Sequence, residues 1–517
     1  MSQTQPALAP VLNARASAWC EAHGLALEAI DYAFAANALE RAATLLEAYA
    51  PTALARGDVV LLRDRLEKLP EPLIGANPRL CVAHAFALYL DGERIRWRER
   101  VRDAEESYAR TADQFDGADR AVLEGEILAL RTTVRHHAAQ SVPGELDALF
   151  HRSLGALPLN HAFRPLVTLF VGVNQLLDGN VRSASRALDA VVRASEARAD
   201  VYFICMSMLY LGLNYLLQGR LDAALALCTR AEQYLVGYDD EDLAARAHLI
   251  RGKVFYERND LERAHVSLRL GNSLRYDPSA FLIEGYPTLA HVYLALGDGA
   301  AAQQAMEQGL AEWTSSVAEG RTLWGWTGRQ IHAHQAHLWL LDGCVDDNRE
   351  KASAWARALE RDAQTPSPGV VAPPTYVHEW EYIVLARECL ARRRAYDALA
   401  ILDTLYDAAE AHGRIARLLE ILVLQTVAYD ALGDTLAALR LLQRAVELGA
   451  QQRFVRTFID GGPAIHRLLM ALHTQRAHPG VPPLRRRDIT YLEGLLEAFA
   501  LTGDDAALNS RRSRERS

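Results

Sequence analysis

Residues 206–235 read MSMLYLGLNYLLQGRLDAALALCTRAEQYL, and this stretch has the pattern of a helical hairpin. Apolar residues such as Leu211 and Tyr215 fill its first half until Gln-Gly-Arg at 218–220 interrupts them. Glycine destabilises a helix interior by about 1 kcal/mol relative to alanine and more often marks a turn. Small and apolar residues then return at three- and four-residue steps, at Leu221, Ala224, Leu227, Cys228 and Ala231. This spacing predicts a second amphipathic helix that packs on the first.

The hairpin recurs along the chain with a spacing of 40 residues. Its small residues form two such series, Gly172, Gly212 and Gly252, and Ala184, Ala224 and Ala264. The turn string GRLDAA from Gly219 has counterparts in GNVRSA from Gly179 and NDLERA from Asn259. A two-helix unit of this length cannot bury its apolar face alone and must stack on its neighbours. We therefore predict an all-α fold, a right-handed superhelical solenoid of tetratricopeptide-like helix pairs.

The composition is that of an ordinary globular chain, with 517 residues of which 50% are hydrophobic and 23% are charged. The net charge of −9 argues against binding DNA or an anionic membrane through bulk charge. One Arg-rich run at 94–100 contains Trp97, and a basic patch with an aromatic ring could stack on nucleic acid. The acidic residues that follow the run favour a solvated helix face instead.

Shifts in composition and in the clarity of the repeat divide the chain into six predicted segments. They are a disordered N-terminus at 1–12, N-terminal helical repeats at 13–160, central tetratricopeptide-like repeats at 161–360, a Pro-rich loop at 361–374, C-terminal repeats with a cap at 375–502, and a disordered Arg-rich tail at 503–517. Because contacts in a repeat stack are local, truncation after Tyr238 is predicted to leave a folded helical fragment.

The cysteines are far apart and include no C-x-x-C pair. They are Cys20, Cys81, Cys205, Cys228, Cys344 and Cys389. Their apolar surroundings are typical of small buried residues in a reducing compartment. The uncharged stretch at 201–219 approaches the length of a membrane span, but it carries Asn214 and coincides with a repeat helix. The first ten residues have no secretory pattern, so we expect a cytoplasmic protein without a membrane segment.

The sequence contains no pattern of catalytic residues. The only Gly-Lys pair, at 252–253, lacks the rest of a P-loop, and neither H-E-x-x-H nor G-x-S-x-G occurs. His332, His334 and His337 invite a metal site, yet no acidic or cysteine residue lies at a helical step from them to complete a zinc shell. We predict a protein that is not an enzyme, with no catalytic residues, no cofactor and no metal.

A candidate effector site lies where aromatic and imidazole groups concentrate. Trp326, Gln330, His334 and His337 form one stripe of a predicted helix, while Ile331, Leu338 and Leu341 form a separate, core-like stripe. Tyr376 and Trp380 lie four residues apart on the next helix. Aromatic plates with polar tips are typical of a pocket that stacks a small polar ligand such as a sugar. Ordinary packing of large aromatic side chains between helices is the alternative interpretation.

Motifs at both ends of the chain resemble the helical region of MalT-type regulators, the large ATP-dependent members of the LuxR family. Near the start these are Ala16 and Trp19, the glycine turn at Gly24, EAI at 28–30 and AATLL at 42–46. LEKLP at 66–70 and NPRL at 77–80 continue the resemblance, and RAVEL at 444–448, RFVR at 453–456, FIDGGP at 458–463 and LL at 468–469 resemble the final repeat and its cap.

The resemblance implies the sensor and oligomerisation region of a MalT-like transcriptional regulator. Such a region receives a small-molecule inducer or a protein partner, can self-associate, and relays the signal to ATPase and helix-turn-helix modules. Neither of these modules has a motif in this sequence, so we expect no direct DNA binding by this chain alone. A stand-alone tetratricopeptide-type scaffold for protein–protein interaction is the alternative, because such repeats bind extended peptides along a concave face.

Overall fold

The computed structural model describes residues 8–56, 58–137, 145–161, 163–238, 240–274, 280–319, 325–341, 346–361, 376–474 and 482–514. These residues form 26 α-helices and one short 3-10 helix at Ala112–Gln114, and none of them lies in a strand. The first thirteen helices are α1 (Leu8–Ala22), α2 (Ala26–Ala35), α3 (Leu39–Arg56), α4 (Val59–Leu66), α5 (Glu71–Ala76), α6 (Pro78–Leu90), α7 (Arg94–Thr111), α8 (Gly117–His137), α9 (Glu145–Ala156), α10 (Arg164–Leu177), α11 (Val181–Glu196), α12 (Val201–Leu217) and α13 (Leu221–Leu235).

The second half of the chain continues in the same way. Its helices are α14 (Glu241–Glu257), α15 (Leu261–Ser273), α16 (Ala280–Ala295), α17 (Gly299–Ala318), α18 (Gly325–Leu341), α19 (Asp346–Arg361), α20 (Tyr376–Ala391), α21 (Ala395–His412), α22 (Ile415–Ala431), α23 (Thr435–Gly449), α24 (Arg456–Ile459), α25 (Pro463–Thr474) and α26 (Arg486–Arg514). Consecutive helices such as α14 and α15, α20 and α21, and α22 and α23 pack against each other. The predicted all-α fold of paired helices is confirmed.

The hairpin at 206–235 folds as predicted, with α12 and α13 joined by a three-residue turn. Gly219 has a φ of +69° there, in the left-handed region that a side chain disfavours. The equivalent turn after α14 places Asn259 at a φ of +61°. Asparagine is one of the few other residues that tolerate this conformation, which explains why it replaces glycine in that copy.

The small residues of the 40-residue repeat lie at the closest approaches between helices. Ala184, Ala224 and Ala264 have no solvent-exposed surface. A Cβ atom on Gly252 would lie 2.5 Å from Leu268 Cγ, and one on Gly212 would lie 3.3 Å from Ile250 Cδ1. Packing at these contacts leaves no room for an added methyl group without a shift, so the period in the sequence marks the helix interfaces.

The chain divides into two compact units that interleave in sequence. Unit 1 takes the described residues of Met1–Asn174, Ala190–Ile204 and Val317–Leu323, and unit 2 takes those of Gln175–Asp189, Cys205–Ser316 and Trp324–Ser517. This division differs from the predicted boundaries at 160 and 360, because α10, α11, α12 and α17 each contribute residues to both units.

Two segments predicted to be disordered contain helix. Residues 8–12 begin α1, and α26 runs to Arg514, well into the predicted tail at 503–517. Strong helix formers, such as the pair of alanines and the leucine at 506–508, explain how the tail extends the last helix. Of the predicted Pro-rich loop only Arg361 is described, as the last residue of α19, and the rest lies outside the described residues.

The Arg-rich run does not present its tryptophan to solvent. Trp97 is fully buried, with its ring 5.1 Å from that of Tyr89. The Arg100 guanidinium forms ion pairs with Glu71 and Asp103, and Arg96 pairs with Glu67 at 2.6 Å. A nucleic-acid base therefore has no open ring to stack on at this position, which excludes the stacking interpretation.

The described cysteines are buried and free, as predicted. They are Cys20, Cys81, Cys205, Cys228 and Cys389, while Cys344 lies outside the described residues. Burial raises the pKa of the Cys205 and Cys228 thiols to about 12, which leaves them poor nucleophiles. Over the part of the chain that is described, every helix is too short or too polar to span a bilayer.

Unit 2 contains a set of contacts between residues about 200 positions apart. Residues 452–460, which we call the closing segment, reach the turns after α12 and α14. The Val455 amide donates to the Glu257 carbonyl at 2.7 Å, and the Thr457 hydroxyl donates to the Glu257 carboxylate at 2.8 Å. The Tyr256 hydroxyl donates to Asp460 at 2.6 Å. These bonds join residues near the C-terminal end of unit 2 to α14, about 200 residues earlier in the chain.

Candidate functional site

A cavity of about 190 Å³ lies inside unit 2. It is lined by the first helix of each successive pair, namely α10, α12, α14, α16, α18, α20 and α22, together with the closing segment. Because each pair presents its first helix to the same interior, the repeat itself builds the wall. The closing segment contributes Phe454, Thr457 and Asp460 and completes the wall between α22 and α14.

All six residues of the candidate effector site line this one cavity. Trp326, Gln330, His334 and His337 lie on α18, and Tyr376 and Trp380 lie on the neighbouring α20. The structure therefore brings together the six residues predicted to form the effector site, and their binding of a ligand stays a prediction.

The other faces of α18 agree only partly with the prediction. Ile331 and Leu338 are buried as expected, whereas Leu341 is 41% exposed because it is the last residue of α18. His332 is exposed, so it is separated from the two histidines of the cavity.

Trp380 is held by groups of the protein itself. The His334 ring stacks on it with a centroid distance of 4.5 Å, and the Arg417 guanidinium carbon lies 5.3 Å from its centroid. The His337 ring meets it edge-on at 5.3 Å. Trp380 thus fits both interpretations of the sequence, the ligand pocket and the packing of aromatic side chains, since it packs between helices and also borders the cavity. Its engaged faces leave less of the ring for a ligand than the sequence suggested.

Two polar residues of α18 have different tasks. Gln330 is buried and its amide donates to the carbonyl of Val377, which fastens α18 to α20. His337 is also buried, and neither ring nitrogen has a hydrogen-bond partner among the described residues. A neutral imidazole that lacks a partner is a group that a ligand or an ordered water can satisfy.

The cavity wall also carries charged residues, which the sequence analysis missed. Arg387 and Arg417 share Glu420, with nitrogen–oxygen distances of 3.2 and 2.6 Å. The Lys253 ammonium lies 3.1 Å from the Glu257 carboxylate. These pairs are partly or largely shielded from solvent, so each charge depends on its partner more than a surface charge does.

A signal for these residues was present in the repeat. The cavity residues Trp380, Glu420 and Asp460 are spaced by 40, and so are Val377, Arg417 and Thr457. Leu216 and Tyr256 show the same spacing on α12 and α14. Steps of 40 from Val377 and Trp380 would have led to Arg417, Glu420, Thr457 and Asp460, but not to Glu284 or Arg387.

The histidines of the wall are neutral at ordinary pH. Burial lowers the pKa of His291 to about 4, and it lowers the pKa of His334 and His337 well below the ordinary value, assisted by nearby cations. The described residues contain no group of three or more histidine, cysteine or acidic side chains arranged to hold a metal ion. What the site offers is therefore aromatic surface, neutral imidazoles and paired charges, the means of binding a small molecule.

Comparisons of the sequence with known families and with known proteins agree on one family. The profile of the MalT-like TPR region matches residues 125–475. The HTH-type transcriptional regulator MalT of Serratia proteamaculans (strain 568) is 24% identical over 474 residues, which cover 89% of this chain and 49% of that protein. MalT of Yersinia pestis (strain Pestoides F) is 24% identical over 492 residues, which cover 92% of this chain and 51% of its own.

The chain thus spans about half the length of the two relatives. Among solved structures, a chain of the APC/C hetero-tetramer Cut9–Hcn1 aligns over 94% of this chain and 96% of its own. Its sequence is 12% identical and the TM-score is 0.33, a value too low to support a shared fold.

Proposed function

The chain belongs to the MalT-like TPR family, and from this premise we propose that it is the sensor region of a transcriptional regulator. In this proposal the cavity of unit 2 receives a small-molecule inducer. Its relatives are named as helix-turn-helix transcriptional regulators, and about half of their length lies outside the matched region. DNA-binding and ATPase modules would act together with this chain, in the cytoplasm of a bacterial cell.

The observation that carries the proposal is the convergence of recognition groups on one cavity. Aromatic rings, charged pairs, and imidazole nitrogens that have no hydrogen-bond partner among the described residues all line the same cavity of about 190 Å³. Cavities that bind small molecules combine apolar walls with a few polar groups that fix orientation. Structural packing alone does not require so many polar groups at an interior surface, since each one loses hydration there.

The same geometry favours a small molecule over an extended peptide. A peptide that follows the concave face of a repeat array needs an open groove along several repeats. In unit 2 the closing segment bonds to the end of α14 and contributes to the cavity wall, and a volume of about 190 Å³ suits a small molecule better than a long peptide. The scaffold function therefore has less support from this unit than the sensor function.

Relay of the signal is proposed to use the closing segment. Asp460 lines the cavity and accepts the Tyr256 hydrogen bond, and it is also paired with Arg456. A ligand that contacts these groups would change the strength of the bonds that hold residues 452–460. Because α25 and α26 follow the segment in the chain, the change would pass to the C-terminal helices.

Binding can be tested by titration calorimetry on the parent protein and on Trp326→Ala and Trp380→Ala variants that remain folded by circular dichroism. Sugars, amino acids and small amines form the first set of compounds. We expect a compound that binds the parent to lose at least about tenfold in affinity in each variant, equivalent to about 1.4 kcal/mol. A third variant, Ala416→Trp, fills the cavity without removing any polar group and is expected to abolish binding.

Trp19→Ala is the matched control, because Trp19 is a mostly exposed tryptophan of unit 1 that stacks only on its neighbour His23 within the described structure. Its affinity should equal that of the parent. Unchanged affinity in Trp326→Ala, Trp380→Ala and Ala416→Trp together would remove the cavity as the inducer site. The family assignment would stand, since it rests on the sequence match.

A further inference from the structure

The charges of the cavity wall are almost completely paired with one another. Arg387 and Arg417 bind Glu420, and Arg417 Nε also lies 3.6 Å from Glu379. The carboxylate of Glu257 is held by Lys253 at 3.1 Å and by the hydroxyl of Thr457 at 2.8 Å. Asp460 accepts hydrogen bonds from Tyr256 and Arg456. Each of these groups is already neutralised inside the protein.

Glu284 is the exception. It lies on α16 and lines the cavity, one turn before Thr288 and two turns before His291, so the three side chains share a face. Within the described residues its carboxylate forms neither an ion pair nor a hydrogen bond. The wall carries four carboxylates, on Glu257, Glu284, Glu420 and Asp460. Three of them have a bonded cation, since Lys253 pairs with Glu257, Arg387 and Arg417 both pair with Glu420, and Arg456 pairs with Asp460.

The surroundings of Glu284 make its lone charge unfavourable. Burial raises the pKa of its carboxyl group, and the attraction of Lys253 and Arg417 does not compensate. Both cations are committed to other carboxylates, Lys253 to Glu257 and Arg417 to Glu420. A partly buried carboxylate that has no bonded cation of its own gains most from a partner that brings a positive charge.

Aromatic side chains border the same space. Tyr376 and Glu284 line one cavity and influence each other electrostatically, and Tyr256 and Trp326 are further members of the wall. Tyrosine and tryptophan rings attract cations through the negative face of the ring. Cations of the protein already lie near some of these rings, since Lys253 Nζ is 5.4 Å from the centroid of Tyr256 and the Arg414 guanidinium carbon is 5.8 Å from that of Tyr376. The carboxylate of Glu284 is therefore the main group that favours a ligand with a compact positive charge.

We propose that the ligand of this cavity carries a protonated amino group, which pairs with Glu284 among the aromatic rings of the wall. The inference rests on the proposed function, because it assigns a chemical class to the ligand of that same site. The remainder of the ligand is a small polar or flat body, in keeping with the volume and the neutral imidazoles. A neutral sugar or an acid would leave Glu284 without its counter-charge.

Two pairs of probes that differ essentially in charge test the proposal by calorimetry on the full chain. They are D-glucosamine against D-glucose, and tyramine against its neutral alcohol analogue, tyrosol. We expect the amine of at least one pair to bind the parent at least about tenfold more tightly than its neutral partner. Glu284→Gln keeps the shape and removes the charge, so this preference should vanish. Glu284→Asp keeps the charge on a shorter side chain and should retain the preference at lower affinity.

Glu262→Gln serves as the control, because Glu262 is an exposed residue of the outer helix α15, and its preference should match that of the parent. Glu284→Gln without ligand should melt at or above the parent temperature at neutral pH, since it removes a partly buried charge that has no bonded partner among the described residues. A preference for the amine that survives in Glu284→Gln would overturn the proposal.

The failure of this proposal can be distinguished from failure of the sensor function. Neutral probes that bind as well as the amines, and that lose affinity in Ala416→Trp, would contradict the amine proposal and support the cavity as a ligand site. Binding that persists unchanged in Ala416→Trp would contradict both. Absence of binding by either amine at millimolar concentration would also overturn the amine proposal, while the inducer screen would then decide the sensor function.

Discussion

The histidines of the cavity wall place neutral imidazoles in an environment that opposes their protonation. His337 is buried, and nearby cationic or titratable groups are those of Arg387, His291, His334 and Lys253. Burial is the main cause of its lowered pKa, and the electrostatic effect of these groups adds to it. The cavity wall is therefore polar but neutral at ordinary pH. The folded state loses stability at acidic pH, where these histidines would be protonated in the unfolded chain.

Acidification should accordingly destabilise the folded state. From about pH 6.5, the ordinary histidine pKa, down to about 4, the pKa of His291, the unfolded chain takes up protons that the folded chain excludes. His337→Met removes one such group, so between about pH 7 and about pH 5 its free energy of unfolding should fall by about 2 kcal/mol less than that of the parent. Urea denaturation at the two pH values measures the difference.

His332→Ala is the control for this experiment, because His332 is exposed and should leave the pH dependence of the parent unchanged. Glu284 and Glu379 have raised pKa values and act in the opposite sense, since the folded chain binds their protons more readily as the pH falls. They are present in all three proteins, so the comparison cancels them. Identical pH dependence in the parent and His337→Met would contradict the prediction.

At the scale of helices, local spacing was enough to predict the hairpins and the cavity faces of α18 and α20. Three- and four-residue steps report which face of a helix a side chain occupies, and neighbouring helices follow from the repeat. The isolated charge on Glu284 could not be predicted in this way. Whether a carboxylate is paired depends on side chains of α14 and α22, which lie far from it in sequence.

The register of the repeat can be tested on one helix. Ala224 is fully buried in α13 at the contact with α12, where a Cβ atom on Gly212 would lie 3.8 Å from the Ala224 carbonyl oxygen. Ala226 on the same helix is exposed. Ala224→Arg forces a long cation into this contact and should lower the free energy of unfolding by about 3 kcal/mol or more, or prevent folding. Ala226→Arg should stay within about 0.5 kcal/mol of the parent. Thermal and urea denaturation of both variants decide the matter, and equal melting of the two would show that the register is wrong.

At the scale of the whole molecule, unit 2 has contacts between residues about 200 positions apart in addition to the local contacts expected of a repeat stack. The truncation after Tyr238 considered from the sequence would keep only residues 175–189 and 205–238 of this unit. It would also remove Gln452, whose side chain accepts from the Asp222 amide at 3.1 Å. A nearest-neighbour repeat tolerates such a cut. In unit 2, by contrast, the cut removes helices and a hydrogen-bond partner that the retained residues contact. The part of unit 2 left in the fragment is therefore expected to lose its native structure.

Arg456 offers a direct test of this closure. It is buried, it pairs with Asp460, and it donates to Asn259 at 3.3 Å, which connects α24 to the turn after α14. Arg456→Met leaves the Asp460 carboxylate without its cation and removes the bond to Asn259. We expect the amides of residues 257–260 to exchange with solvent at least about tenfold faster, although they lie about 200 residues from the substitution. Hydrogen exchange measured by mass spectrometry resolves this turn from the closing segment.

Arg444→Met is the matched control, since Arg444 forms a surface pair with Glu410 on neighbouring repeats and should leave the turn unchanged. Faster exchange confined to the closing segment and the helices after it would mean that unit 2 responds only through adjacent repeats, and the proposed relay would lose its structural basis.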